Sequence, residues 1–319
     1  MLANDSIFIG CSDLVTSRLG LGCNNFGMKI AESVAREVVD AALECGITLF
    51  DTADVYGGGA SEEILGRCLA LHRSDVLIAT KFGLPLSDRP GDGGASRRYV
   101  AAACEASLRR LDVDVIDLLL IHQPDPLTPI EETLEAVDML IERGKIRYFG
   151  VSNFAGWQLA DAVHVSAGRR VRPVAVQCEW SLLARQVEAE LVPAAVHFGV
   201  GIVPYFPLAS GLLTGKYRNG NTPPGSRLAE LPFFRDVLTP NNLETAARLE
   251  RWAAERGGSL LDLALSWVVT RPGVSSVLVG ATTAEQIRQN VAAAAWRWDE
   301  ADERELAEIL SSREPRGRT

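Results

Sequence analysis

The sequence predicts an α/β fold: a (β/α)8 TIM barrel with an N-terminal β-hairpin and a long loop after the seventh strand. Three observations carry this expectation. Short β-prone runs alternate with amphipathic segments of helical period along almost the whole chain. Counted from Arg18 there are eight such runs, each followed by at least one helical segment, which suits a closed barrel of about 250 residues. No G-x-G-x-x-G follows the first run: Leu19-Gly20-Leu21-Gly22 lacks both the third glycine and an immediate helix, which weighs against a doubly wound open sheet. No linker or shift in composition divides residues 1–319, so a single domain is expected.

The elements follow in order. Ser6 to Cys11 and Leu14 to Leu19 flank a short polar turn and read as a hairpin. Ala31 to Cys45 is amphipathic and stops at Gly46, ahead of the β-prone Ile47 to Phe50. Ser61, with Glu62 and Glu63, opens a helix to about Leu71, and Val76 to Thr80 is the next strand. Helix Arg97 to Leu111 leads to strand Asp117 to Ile121, helix Pro129 to Arg143 to strand Lys145 to Val151, and helix Gly156 to Ala167 to strand Pro173 to Gln177. A helix from about Val187 to Phe198 precedes strand Gly201 to Tyr205, and a Gly- and Pro-containing loop then runs from Pro207 to about Pro240. Helices Asn241 to Arg256 and Leu260 to Thr270, strand Ser276 to Val279 and helix Thr283 to Ala294 complete the alternation.

Composition narrows the partners. With 47% hydrophobic residues the chain can bury a large core, and a net charge of −9 gives no electrostatic support for nucleic acid or an anionic membrane. A small-molecule partner is expected instead. Six cysteines stand singly, with no C-x-x-C pair and no zinc spacing, as in a reducing compartment, so the cytoplasm is expected and no metal. Met1 to Gly10 lacks a basic stretch followed by an apolar core, and no run of about 18 apolar residues occurs, so neither export nor membrane spanning is expected. Only Lys29, Lys81, Lys145 and Lys216 are lysine among 32 basic residues, so a lysine at a strand end stands out.

In a barrel the C-terminal ends of the parallel strands share one mouth. The second strand delivers Asp51 and, just beyond it, Tyr56; the third ends at Lys81 and the fourth at His122. Each has a plain structural role open to it: Asp51 as a turn cap, Tyr56 as packing, His122 as a core histidine, Lys81 as a solvated charge. As a set they fit proton donation to a carbonyl oxygen. A tyrosine hydroxyl titrates near 10 when unperturbed, and an ammonium within about 4–6 Å lowers that value by roughly 1–3 units. Lys81 would supply that charge, Asp51 would hold Lys81, and a neutral His122 would orient the substrate oxygen.

These four residues at these strand ends resemble the catalytic tetrad of the aldo-keto reductases, and the resemblance runs from about Ile7 to Leu310. Phe50 to Gly57 is similar to the family's FDTAxxYG motif, Gly150 to Phe154 to GVSNF, Tyr205 to Lys216 to YSPLAxGLLTGK, and Gly280 to Asn290 to its terminal cofactor motif. The resemblance implies a nicotinamide cofactor, NADP with NAD as the alternative, lying across the mouth. It implies that Ser152, Asn153 and Gln177 hold the carboxamide and that Tyr205 stacks on the ring. Pro207, Leu208, Ser210, Gly211 and Lys216 match the pyrophosphate segment, and Gly280, Thr282, Gln286, Gln289 and Asn290 the adenosine end. Arg227 matches an arginine placed near the 2′-phosphate in some members, with a solvated loop arginine as the alternative. Phe206 stands where many members have Ser, Thr282 where several have Arg, and Cys23-Asn24 where Thr-Met is more usual.

The implied activity is reduction of an aldehyde or ketone, with Tyr56 as general acid. Asn24, Asn25, Gln123 and Asp125 would make a partly polar pocket with Phe26, Phe82 and Trp180 as apolar walls, which points to a sugar, ketosugar or other hydroxylated carbonyl; alternatively, Asn24-Asn25 only shapes a turn. The sequence also resembles the β subunits of voltage-gated potassium channels, so a cofactor-bound regulatory subunit is the competing expectation. His122 occupies the position where those subunits carry Asn.

Overall fold

Alternation of side chains along each strand decides what fills the centre of this molecule. The computed structural model describes residues 6–89, 91–217, 222–230 and 232–311, with all of their side chains except those of 227, 232–234 and 311. A hairpin of β1 (Ile7–Phe8) and β2 (Val15–Thr16) comes first. The parallel strands are β3 (Leu19–Gly22), β4 (Leu49–Asp51), β5 (Leu77–Phe82), β6 (Ile116–Ile121), β7 (Ile146–Ser152), β8 (Pro173–Glu179), β9 (Gly201–Tyr205) and β10 (Val277–Gly280). From β3 to β9 each pairs with the next, and β10 pairs with β3. The remaining seam is bridged just ahead of β10, where Ile202 N donates to Gly273 O at 2.8 Å and Ser275 N to Ile202 O at 2.9 Å. The result is a nearly closed eight-stranded (β/α)8 barrel, as the alternation predicts.

The period of two separates an inner from an outer set. Leu49, Leu77, Ala79, Leu118, Leu120, Val203 and Leu278 pack together inside the barrel, and Ile9 and Leu14 of the hairpin join them, so the hairpin stops the lower end. The opposite parity, Phe50, Ile78, Leu119 and Phe149, is buried under the helices. Continuing the inner parity of Leu77 and Ala79 upward reaches Lys81, and that of Leu49 reaches Asp51. The mouth therefore receives polar groups from the same faces that carry the core below.

The helices are α1 (Glu32–Glu44), α2 (Ala60–Leu69), α3 (Arg97–Leu111), α4 (Ile130–Glu142), α5 (Gly156–Val165), α6 (Leu191–Phe198), α7 (Arg227–Glu230), α8 (Pro240–Glu255), α9 (Leu260–Val269), α10 (Ala284–Ala293) and α11 (Glu300–Ser311). Side-chain caps start several of them: Ser96 accepts from Tyr99 N, Thr239 from Asn242 N and Thr283 from Gln286 N, and Ser259 with Asp262 forms a capping box. None of the described helices is long and apolar enough to cross a membrane.

Four local expectations change. Helix α2 opens at Ala60, because Ser61 is not its cap: the Ser61 hydroxyl donates to Cys23 O at 2.9 Å and meets Thr52 Oγ1 at 2.8 Å, tying the helix to two strand ends. The helix expected from Val187 divides into a 3₁₀ turn, Gln186–Glu188, and α6. The stretch 207–240 is not wholly a loop; it holds 3₁₀ segments at Ala209–Thr214 and Pro232–Val237 and the one-turn α7, all too short to leave a period in the sequence. Helix α11 was not expected, since its buried contacts come down to Leu306 and Leu310, with Arg256 pairing Asp302 and Arg271 pairing Glu303.

Gly66 marks a tight contact between α2 and α3: a Cβ there would lie 2.3 Å from the Leu111 carbonyl oxygen at the end of α3. Backbone cannot yield as a side chain does. Gly66→Ala is expected to cost about 1–3 kcal/mol, read from the denaturant midpoint; a change within about 0.3 kcal/mol would show that α2 and α3 are not packed this closely.

Candidate active site

Lys81 is 2% exposed at the top of the barrel interior. A buried ammonium needs its donors satisfied, and here three acceptors take them: Asp51 Oδ2 at 2.6 Å, the Thr52 carbonyl at 2.8 Å and the Tyr56 hydroxyl at 3.4 Å. Asp51 is held from its other side by Gln177 Nε2, which donates to Oδ1 at 2.6 Å. Gln177 lies at the upper end of β8, 126 residues along the chain from Asp51, and barrel closure alone makes them neighbours. The chain Gln177–Asp51–Lys81–Tyr56 is thus continuous. Burial opposes the Lys81 charge, but Asp51 and then Tyr56 outweigh it and hold the ammonium above the usual lysine range.

Tyr56 departs from expectation. Its hydroxyl is held above the usual tyrosine value, because burial, reinforced by the nearby Asp51 charge, exceeds the lowering supplied by Lys81. Lys81 therefore offsets a penalty and does not bring about a net decrease. Tyr56 starts a turn through Gly57 and Gly58 (φ 61° and 64°) to Gly59 (φ 98°). At Gly59 a Cβ would lie 2.7 Å from Arg110 Cδ, so this close return of the chain needs glycine.

His122 follows β6 at the inner parity and meets the Tyr56 ring edge to face, with centroids 5.8 Å apart. Burial, with the Lys81 charge next, pushes its pKa down to about 3, so the imidazole is neutral. Its Nδ1 is buried without a partner among the described residues, while its backbone carbonyl accepts from Asn153 Nδ2 at 2.9 Å. Asn153 Nδ2 also reaches Ser152 Oγ at 3.2 Å, and Asn153 Oδ1 accepts from the Tyr205 hydroxyl at 2.7 Å. Three strand ends are linked in this way: β6, β7 and β9.

The other residues singled out in the sequence fall on the segments that follow the upper ends of β7, β9 and β10. Of the five non-glycine residues with positive φ among the described residues, four are Asn153, Phe206, Ala209 and Ser210, and Gly211 continues the left-handed backbone at φ 100°. Pro207 and Leu208 lie inside this run, and Lys216 is exposed just beyond it, its ammonium 5.3 Å from the Tyr217 ring centroid. Arg227 opens α7, but its side chain lies outside the described residues. Gly280 ends β10; Thr282 donates N–H and hydroxyl to Gln286 Oε1 at 2.8 and 3.2 Å, Gln289 bonds Glu285 at 3.0 Å, and Asn290 is buried on α10. Aromatic face, amides, cation and helix N-terminus follow one another round the mouth, a donor set that fits a dinucleotide. Lys29 ties the first loop to the stretch 207–240, through Glu230 at 2.9 Å and the Gly225 carbonyl at 3.2 Å.

Several substrate-wall expectations are corrected. Phe26, Phe82 and Trp180 are each at most 1% exposed and pack outside the strands, since their positions carry the outer parity or lie beneath loops. Asp125 accepts from Ala95 N, Leu127 N and Thr128 Oγ1, shaping its loop. Asn25 is buried and donates to Ala281 O at 3.2 Å, joining the first loop to the last strand. Sequence reasoning did not find the support of Asp51 by Gln177 or of Lys81 by the Thr52 carbonyl. The first was open to inference, because Gln177 sits at the inner parity of a strand end; a backbone carbonyl leaves no such trace.

Comparison with known proteins agrees with this geometry. The family model described as the aldo/keto reductase family matches residues 18–311. The chain is 38% identical over 296 residues to a rice protein (Oryza sativa subsp. japonica) named as a probable voltage-gated potassium channel subunit beta, covering 89% of each chain. It is 37% identical over 302 residues to the Bacillus subtilis oxidoreductase YrpG, covering 90% of each. It is 35% identical over 299 residues to the L-glyceraldehyde 3-phosphate reductase of Escherichia coli K12, covering 90% of this chain and 86% of that protein. With the match extending from the first barrel strand to the last helix, the chain belongs to the aldo/keto reductase family.

Proposed function

We propose that the chain is a single-domain, cytoplasmic reductase that converts an aldehyde or ketone to the alcohol with NADPH, Tyr56 being the general acid. The observation that carries this reading is the unbroken path Gln177–Asp51–Lys81–Tyr56 beside a neutral His122. The reduced nicotinamide, when bound, supplies the hydride. The protein's part is to place the carbonyl oxygen between Tyr56 and His122, where an imidazole N–H orients it and the phenol gives up its proton as negative charge develops. The phenolate left behind is stabilised by Lys81, whose own position is fixed by Asp51 and Thr52. In the reverse direction the same phenolate accepts the alcohol proton.

Ser152, Asn153 and Gln177 would hold the carboxamide, Tyr205 would cover one ring face, and Lys216 with the left-handed run 206–211 would meet the pyrophosphate. Gln177 brings a constraint, since its Nε2 is committed to Asp51. Arg227 favours NADP over NAD and the neutral Thr282 works against it. For the substrate, Asn24 and Gln123 are the polar groups left after Asn25 and Asp125 are used within loops. A small hydroxylated aldehyde suits them, and the name of the Escherichia coli relative points the same way. The name of the rice relative raises the second reading, a regulatory subunit. Recovery of a stable membrane partner, with no turnover on any carbonyl compound, would favour that reading.

Consumption of NADPH and NADH across aldehydes, ketones and aldoses tests the assignment; no turnover on any of them would overturn it. Tyr56→Phe is expected to lower kcat for a confirmed substrate by at least about 10³-fold while the cofactor still quenches tryptophan fluorescence at its wild-type Kd. A wild-type rate would remove Tyr56 from its role. Lys81→Met takes away the cation that stabilises the phenolate, so the alkaline inflection of alcohol oxidation should move to higher pH; an unmoved inflection would count against Lys81. Because His122 is neutral down to about 3, it should contribute no inflection between pH 5 and 8, and His122→Asn should leave the profile's shape unchanged over that range.

A further inference from the structure

Asp54 is the acidic residue of the catalytic turn that the proton path leaves unused, and it is 1% exposed. Its amide N–H donates to the Lys81 carbonyl at 3.1 Å, so its backbone is fastened to the lysine itself. Neither carboxyl oxygen has a donor at full hydrogen-bonding geometry among the described residues; the Tyr99 hydroxyl from α3 and the Val55 N–H of its own turn are its nearest, weak donors. Glu62, fully buried on α2, takes the donors close by: Thr80 Oγ1 at 2.6 Å and Arg110 Nε at 2.6 Å. The groups facing Asp54 are therefore Glu62 from α2, Arg110 and Tyr99 from α3 and Lys81 from β5, with Asp92 acting on Tyr99 from the loop before α3. Two carboxyl groups share one guanidinium in a dry space, and that guanidinium is bonded to Glu62.

We propose that Asp54 is a positioning residue of the proton-transfer turn: neutral while the carbonyl is reduced, it places a second negative charge behind Lys81 when it ionises and makes the Tyr56 phenolate harder to form. The geometry supplies the reason, since a carboxylate buried against Glu62 with only weak donors is costly and a bound proton relieves it. Burial first, then the Glu62 charge, push the Asp54 carboxyl up to about 7 against Arg110 and Lys81. An unfolded aspartate titrates near 3.9. The folded state thus binds the proton more tightly, and the wild-type chain loses stability as pH rises from about 4 to about 7, the loss staying constant above that.

The kinetic half of this inference rests on the carbonyl-reductase reading; the titration half does not. In protein labelled at the aspartate carboxyl carbon, one resonance is expected to titrate near neutrality and to vanish in Asp54→Asn. The melting temperature of Asp54→Asn should exceed that of the wild type at pH 8, with the gap closing as pH falls toward 4. In alcohol oxidation the Tyr56 inflection of Asp54→Asn should lie about 0.5–1 pH unit below that of the wild type, a shift that loss of packing alone would not produce. Glu62→Gln removes the neighbouring charge and should move the Asp54 titration to lower pH, which keeps the test open should Asp54→Asn fold poorly. An aspartate spectrum with every resonance titrating near 4, or superimposable pH profiles for wild type and Asp54→Asn, would overturn the proposal. Absence of turnover with a neutral-range aspartate titration intact would instead count against the reductase reading alone.

Discussion

The buried ion pair of Lys81 and Asp51 is the constraint on which the mouth of this barrel depends. Removing an ammonium and a carboxylate from water costs several kcal/mol per ion, and mutual attraction repays this only when the remaining donors and acceptors are also satisfied. Here they are: Thr52 O and Tyr56 Oη take the other Lys81 protons, and Gln177 Nε2 takes the other Asp51 oxygen. Thr52 and Tyr56 stand on the turn after β4, next to β5, whereas Gln177 reaches Asp51 from β8 only in the closed barrel, so full satisfaction of the ion pair depends on closure.

That dependence accounts for the layering of the interior. Below the ion pair the inward positions are Leu49, Leu77, Ala79, Leu118, Leu120 and Val203, which exclude water from underneath. The same exclusion raises the Tyr56 hydroxyl and lowers the His122 imidazole, so one dry environment keeps a proton on the phenol and keeps one off the ring. Acid and orienting group thus acquire opposite tendencies from a single cause. Lys81 opposes that tendency at Tyr56 and reinforces it at His122.

Much of this was legible in the sequence, for reasons that particular residues make plain. The strands show through the alternation of β-prone and helical runs that a barrel requires, and Asp51, Tyr56, Lys81 and His122 stand out because they come at or just beyond the ends of three successive apolar runs. What escaped were interactions without periodicity. Ser61 looked like a cap because caps favour serine, yet its hydroxyl serves Cys23 O. Phe82 looked like a pocket wall because it neighbours Lys81, although adjacent strand residues face opposite sides. Asp54 carries no signal in the sequence, and its setting becomes visible only once α2 and α3 place Glu62 and Arg110 near it.

The two halves of the mouth are held by different physics. At β4, β5, β6 and β8 the site is built from strand ends, where backbone pairing fixes each side chain and charge satisfaction fixes the rest. At residues 206–211 the chain leaves the sheet through Phe206, Ala209 and Ser210 with positive φ, a conformation that costs on the order of 1 kcal/mol or more for each non-glycine residue. Such a backbone persists only where its surroundings determine it, and Leu212 and Leu213, both buried, anchor the far end of the segment. The Lys29 ammonium adds a link farther along the same stretch, at Gly225 and Glu230, and it belongs to the first loop, whose Asn25 is itself bonded to Ala281 after the last strand. The strained segment is thus fastened at its base by the core and at its outer reach by the loops of the first and last strands, so the shape of this side of the mouth depends on barrel closure as the ion pair's bond to Gln177 does.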